Sequence, residues 1–181
     1  PAILVVGGAY DTDDCYGALN TYKLIRENSP STDLHFVYGP WSHGGWHEND
    51  YVGLGQINSW GGLSEYFMKN IEFPFFSYYL EGKGKKPQPV YAYSSGSDSW
   101  QTMDMWPQSE SVPYYLQSEN KISDIIPQVY FSASTYTSDP DSPVPFMADA
   151  SKRNKAYMVA DQSFALNRSD VLTFTGEPLN E

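Results

Sequence analysis

Apolar and polar positions change rhythm along the chain. Ala2–Ile3–Leu4–Val5–Val6 is an unbroken apolar run that stops at Gly7–Gly8. Such a run suits a short strand of a parallel sheet, covered on both faces. From about Asp13 to Asn28 the apolar positions Tyr16, Leu19, Tyr22 and Leu24–Ile25 recur at helical spacing, and Ser29–Pro30 closes the stretch; this predicts a helix. Leu34–His35–Phe36–Val37–Tyr38 predicts a second strand, closed by Gly39–Pro40, and a Gly-rich polar loop runs from Trp41 to about Gly62. Phe67, Ile71, Phe75 and Tyr79 then fall four apart, on one helical face. Pro74 lies inside that pattern, so a kinked helix or two short helices are predicted.

Gly82–Lys83–Gly84–Lys85–Lys86–Pro87 is small, charged and proline-terminated, which marks a domain boundary. Beyond Pro89 the rhythm shortens. Val90–Tyr93, Tyr114–Gln117, Val129–Ser132, Ala156–Val159 and Val171–Thr175 are brief runs separated by Pro, Gly, Asp and Ser. That spacing belongs to an all-β sandwich rather than to βαβ units. The predicted organisation is therefore α/β over residues 1–86, followed by an all-β domain over 87–181.

Composition narrows the function classes. Eleven basic and 22 acidic side chains give a net charge of −11 and a pI near 4.5. A nucleic-acid binder needs a basic face, and so does polybasic docking on an anionic membrane. No apolar run approaches the roughly 20 residues that span a bilayer. Nucleic-acid and membrane partners are thus not expected. Cys15 is the single cysteine, so neither an internal disulfide nor a cysteine-based zinc site is predicted. The chain starts inside an apolar run at Pro1 and stops at Glu181 without a closing element. It reads as a piece of a longer polypeptide.

Two places carry candidate chemistry. The first is Gly7-Gly8-Ala9-Tyr10-Asp11-Thr12-Asp13-Asp14, with three carboxylates between a strand's C-terminal end and a helix start. Ligands of open parallel sheets bind at that end, although N-capping and first-turn roles alone account for such acids. A calcium loop does not fit, because Cys15 and Tyr16 occupy positions that would need an oxygen donor and a glycine; no metal or cofactor is expected. The second place is Gly39-Pro40-Trp41-Ser42-His43-Gly44-Gly45-Trp46, directly after the second strand. His35 and His47 read as hydrogen-bonded or surface residues, His35 within the strand. An acid after one strand, a helix, and a histidine after the next strand is the closing half of an α/β-hydrolase triad, whose chain order is Ser, then Asp or Glu, then His. Asp11 would orient the imidazole, and His43 would take and return the proton.

Tyr10-Asp11, followed 32 positions later by the histidine of Gly39-Pro40-Trp41-Ser42-His43, resembles the CocE/NonD serine hydrolases. That group includes X-Pro dipeptidyl-peptidases, cocaine esterase, glutaryl-cephalosporin acylases and α-amino-acid ester hydrolases. Ile71-Glu72-Phe73-Pro74-Phe75-Phe76-Ser77-Tyr78-Tyr79-Leu80-Glu81-Gly82-Lys83 is similar to the group's last catalytic-domain helix. Ser138-Asp139-Pro140-Asp141-Ser142-Pro143-Val144-Pro145 and the segment from Asp161 through Arg168-Ser169-Asp170-Val171-Leu172-Thr173-Phe174 are similar to its C-terminal jelly roll. The resemblance implies the last strands and helices of an α/β-hydrolase domain followed by a partial jelly-roll β-sandwich. It also implies a periplasmic or secreted enzyme acting on a small-molecule ester or amide, with homo-oligomerisation allowed. Asp13 and Asp14 stand where the α-amino-acid ester hydrolases carry acids that bind the substrate's α-ammonium group, Asp13 replacing a usual Glu. Tyr16 replaces a usual Trp, and Tyr16 and Trp41 complete the implied substrate-binding set.

The nucleophile of such an enzyme sits on a Gly-x-Ser-x-Gly turn. Ser59 has Gly61 two after it but Ile57 two before; Ser64 has Gly62 before it but Tyr66 after. Neither fits, so the serine and oxyanion hole are expected upstream, and this polypeptide alone is expected to be inactive. Five or six strands are predicted, where a jelly roll has about eight. The alternative reading is a non-catalytic carbohydrate- or ligand-binding sandwich module, with Trp100 and Trp106 as a stacking platform; against it, tryptophans more often fill a core.

Overall fold

The computed structural model describes residues 1–48, 61–128, 131–152 and 155–179. Two compact units emerge: residues 1–107 with 153–160, and residues 108–152 with 161–181.

The first unit is built on a four-stranded sheet in the order β1-β2-β3-β4. β1 (Ala2–Gly8) and β2 (Asp33–Gly39) are the two predicted strands; they pair in parallel, with Gly8 level with Gly39. Helix α1 (Cys15–Asn28) makes the crossover and ends where Ser29 N–H bonds to the Ile25 carbonyl, just before Pro30. Strand alternation sends successive side chains to opposite faces. On one face Ile3, Val5, Leu34 and Phe36 pack with Ala18, Leu19 and Tyr22 of α1. On the other, Leu4, Val6 and Val37 pack with Trp41, Leu63, Phe67 and Ile71. Phe36, Val37, Trp41 and Phe67 are wholly buried.

The aromatic segment forms one helical rod. It runs through α2 (Leu63–Phe67), a π-helical turn (Met68–Glu72) and α3 (Phe73–Glu81). Backbone angles stay helical at Phe67, Met68, Glu72 and Phe73. The predicted interruption at Pro74 is thus a change of winding. Pro74 lies in the first turn of α3, where its missing N–H costs least. The slack is taken up just before it, where Phe73 N–H bonds to the Met68 carbonyl five residues back. Gly82, at φ 67°, ends the rod.

The compact unit extends past the boundary expected at residue 86. β3 (Val90–Ser94) pairs in parallel with β2, and β4 (Ser99–Met103), which the sequence reading missed, pairs antiparallel with β3. Val90 is fully buried beside Phe36, so the first run of the expected sandwich extends the parallel sheet instead. Trp100 stacks on Tyr66 (centroids 5.5 Å apart) and leans on Trp41, while Trp106 meets Phe36 and Tyr38 edge-on. These half-buried rings thus pack on the sheet and the helical rod. The indole N–H groups of Trp41 and Trp100 have no acceptor among the described residues.

The second unit carries little regular structure among its described residues. β5 (Tyr115–Leu116) and β6 (Ile122–Ser123) form a two-stranded antiparallel ribbon, and Lys121 bridges to Thr175. The run Val171–Thr175 contributes only that bridge. Val129 and Tyr130 of the run Val129–Ser132 lie outside the described residues, and Phe131 and Ser132 belong to no strand. Ala156–Val159, also predicted as a strand, is a 3-10 turn spanning Lys155–Val159 and belongs to the first unit. Ala160 N–H closes it on the Tyr157 carbonyl (3.3 Å). Arg168 ties two segments of the second unit together, donating to both Asp170 oxygens (2.8 and 2.7 Å) and to the Ser142 carbonyl (2.7 Å). No described helix is long and apolar enough to cross a membrane.

Candidate active site

Parallel pairing puts the ends of β1 and β2 side by side, so the loops leaving them start together. They are also laced to each other. Ala9 N–H bonds to the Gly39 carbonyl (2.8 Å) and Tyr10 N–H to the Trp41 carbonyl (3.1 Å). That lacing requires a close backbone approach: a Cβ at position 8 would lie 2.2 Å from the Trp41 carbonyl oxygen, so only glycine fits there.

The first loop delivers Asp11, which is 3% exposed. Its Oδ1 accepts the backbone N–H groups of Asp13 (2.9 Å) and Asp14 (3.0 Å). The carboxylate therefore folds the chain into the start of α1. Burial alone would push the Asp11 carboxyl up; the hydrogen bonds from Asp13, His43 and Asp14 outweigh it and hold the group below its ordinary range.

The second loop delivers His43. Gly45 N–H bonds to the Ser42 carbonyl (2.9 Å), closing a turn with His43 and Gly44 in the middle. Gly44 has φ 74° and ψ −1°, the third position of a type II turn, which needs glycine. A 3-10 turn, Gly45–His47, follows directly. Trp41 anchors the near side of the loop, packed against Phe67 and Trp46.

The two loops meet side chain to side chain. His43 Nδ1 lies 3.0 Å from Asp11 Oδ2 and 3.1 Å from Oδ1. A carboxylate can only accept, so Nδ1 carries the proton and Nε2 is the basic nitrogen of the neutral ring. Asp11 is buried while the His43 side chain is 54% exposed. A buried acid behind an accessible imidazole can orient the ring and stabilise its protonated form.

The remaining expected site residues fall in different settings. Asp13, Asp14 and Tyr16 are exposed around the start of α1. Asp14 is the N-cap residue, without a side-chain capping bond. Trp41, expected among the substrate-binding residues, is instead wholly buried in the floor of the site. Ligand atoms of Asp11, Asp13 and His43 lie within 4.8 Å of one another, so these three are the described group that could meet a divalent ion. Such an ion would compete for atoms already engaged in the Asp11–His43 contact. Ser59 lies outside the described residues. Ser64 is buried and donates to the Gly45 carbonyl at 2.7 Å, a structural use of its hydroxyl.

His35 and His47 are hydrogen-bonded, as read. His47 Nε2 contacts Glu72 Oε1 at 2.9 Å. His35 lies in β2, 2% exposed, with Nδ1 2.8 Å from the Gln88 carbonyl and Nε2 2.8 Å from the Tyr79 hydroxyl. Burial pushes its pKa down despite the Gln88 bond and the charge of Asp33. The parts played by Ser64 and Glu72 were not read from the sequence. A helical serine and a helical glutamate carry no local signal of what they will touch.

No family model and no curated protein matches the chain. Solved structures do. An aminopeptidase from the marine sediment archaeon Thaumarchaeota archaeon superposes with a TM-score of 0.85 at 31% identity over 98% of this chain. An α-amino acid ester hydrolase superposes with a TM-score of 0.84 at 33% identity, again over 98%. The chain spans 30% and 31% of their lengths. The resemblance to the CocE/NonD hydrolases is thus borne out in both sequence and fold, over a portion of such proteins. Both of these neighbours are hydrolases.

Proposed function

We propose that this chain is the C-terminal portion of a secreted or periplasmic serine hydrolase and supplies the acid and the base of its triad. The observation that carries this is the contact of His43 Nδ1 with the buried carboxylate of Asp11, at 3.0 Å. In the proposed reaction a serine from outside these 181 residues attacks the ester or amide carbonyl. His43 Nε2 accepts the serine's proton and passes it to the leaving alcohol or amine. Asp11 stabilises the imidazolium throughout. A water molecule, deprotonated by the same nitrogen, then cleaves the acyl-serine, and the proton returns to the serine. Following the β-strands of the second unit, the intact protein would complete a jelly roll.

Exposed Asp13 and Asp14, beside the triad acid, support an α-amino acyl substrate, either an amino ester or a β-lactam acyl group. Their negative charge suits an ammonium. Replacing His43 by Ala in the intact protein should lower kcat by about 10³-fold or more; unchanged turnover rejects the assignment. An amino ester paired with its des-amino analogue tests the substrate class. Equal kcat/KM for the two would remove Asp13 and Asp14 from substrate binding.

A further inference from the structure

His43 sits on a turn that contains two glycines and is half exposed to solvent. Glycine-rich turns are conformationally permissive. A general base must nevertheless be held to a fraction of an ångström. Upstream of His43 the restraint is clear, since Trp41 is buried and its carbonyl is bonded to Tyr10. Downstream, the restraint comes from the helical rod. Ser64, in the first turn of α2, donates its hydroxyl to the Gly45 carbonyl, and this bond is buried. Glu72, the last residue of the π turn, receives His47 Nε2. Phe67 lies between these two anchors and packs on both Trp41 and His47, with centroids 5.5 and 5.9 Å apart.

We propose that Ser64 and Glu72 are positioning residues for the base: they clamp the far side of the His43 turn to the helical rod and so keep the imidazole on Asp11. The π turn is part of the device. It ends in Glu72 and directly precedes the proline-containing start of α3. One backbone irregularity thus accommodates Pro74 while carrying the carboxylate that holds His47. π turns recur at functional sites, and here the use is a mechanical one. This inference rests on the hydrolase reading for its catalytic consequence, but not for its structural content.

The test separates the two. In this chain, NMR should show the His43 Nδ1 proton as a slowly exchanging downfield resonance, because it is bonded to a carboxylate. Glu72→Gln, which keeps an acceptor for His47, should retain it. Glu72→Ala combined with Ser64→Ala should broaden or abolish it. Glu72→Ala alone, and His47→Leu from the other side of the contact, which keeps apolar bulk against Phe67 but no donor, should increase its exchange rate without removing it; both changes are at partly exposed positions, so folding is preserved. In the intact protein the double variant should lose about 10- to 100-fold in kcat with KM little changed. A purely structural role would lower thermal stability and leave the resonance and kcat alone. That outcome, or a resonance lost equally in Glu72→Gln, overturns the proposal. A failed hydrolase assignment would show differently: His43→Ala would leave turnover intact while the resonance still responded to Glu72 and Ser64.

Discussion

The two compact units use similar residues to opposite effect. In the first, strands and helices close over Phe36, Val37, Phe67 and Val90 until nothing of them reaches solvent. In the second, Ala165 is the one buried residue among those described, while Leu116, Ile125, Phe131 and Tyr136 stand exposed. Both are rich in apolar and aromatic side chains. The difference lies in pairing. A βαβ crossover brings its own covering helix and its neighbouring strand with it. The described strands of the second unit are two residues long and pair only with each other, with no helix laid over them. Burial follows from pairing, and apolar content alone does not supply it.

The comparison can be broken most sharply at the core. Phe67→Ala should cost about 3–5 kcal/mol in denaturant unfolding, through lost burial and the cavity left beneath Trp41. Phe131→Ala, at a position 85% exposed, should stay within about 0.5 kcal/mol. Equal effects at the two sites would erase the contrast. Next in size is His35→Leu. It removes both ring contacts, to the Gln88 carbonyl and the Tyr79 hydroxyl, and should cost about 1–3 kcal/mol by the same measurement.

The acid side of the stability profile sharpens the same point. His35 has a depressed pKa in the fold. The unfolded chain therefore takes up the proton first, and stability is complete above the ordinary histidine value of about 6.5. It falls as pH drops from there toward the folded value. Asp11 is also depressed. Its contribution is present above the ordinary aspartate value and is lost as pH falls through the lower folded one. The first unit should therefore loosen in two acid steps, the first absent in His35→Leu and the second in Asp11→Asn. Tryptophan fluorescence against pH would resolve them, since all five tryptophans lie in residues 1–107. The smallest expected effect is in the second unit. Arg168→Lys gives up the two-pronged contact with Asp170 and should speed limited proteolysis there by no more than about fivefold.

The meeting of Asp11 and His43 was legible because it is written in short, local signals. A strand that ends in Gly-Gly and is followed by an acid, and a strand that ends in Gly-Pro and is followed by a histidine, place two side chains at one edge of a parallel sheet. Parallel register then does the rest, and Asp11 and His43 meet. The helix from Cys15 and the two first strands were legible for a related reason: their periodicity is continuous over many residues. Where the rhythm was brief, the outcome was mixed: Tyr114–Gln117 contains β5. Val90–Tyr93 joined the parallel sheet, and Ala156–Val159 became a 3-10 turn.

By itself, then, the sequence determined the strand–helix–strand frame, the two loops at its edge and the pair of side chains they deliver. These depend on periodicity and on glycines that allow close backbone approach, which are properties of consecutive residues. Only the tertiary structure decided that Trp41 belongs to the core, that Ser64 and Glu72 grip the His43 turn, and that β3 and β4 extend the sheet past Pro87. Those outcomes depend on which distant surfaces come together, and a short apolar run is compatible with several partners until one of them buries it.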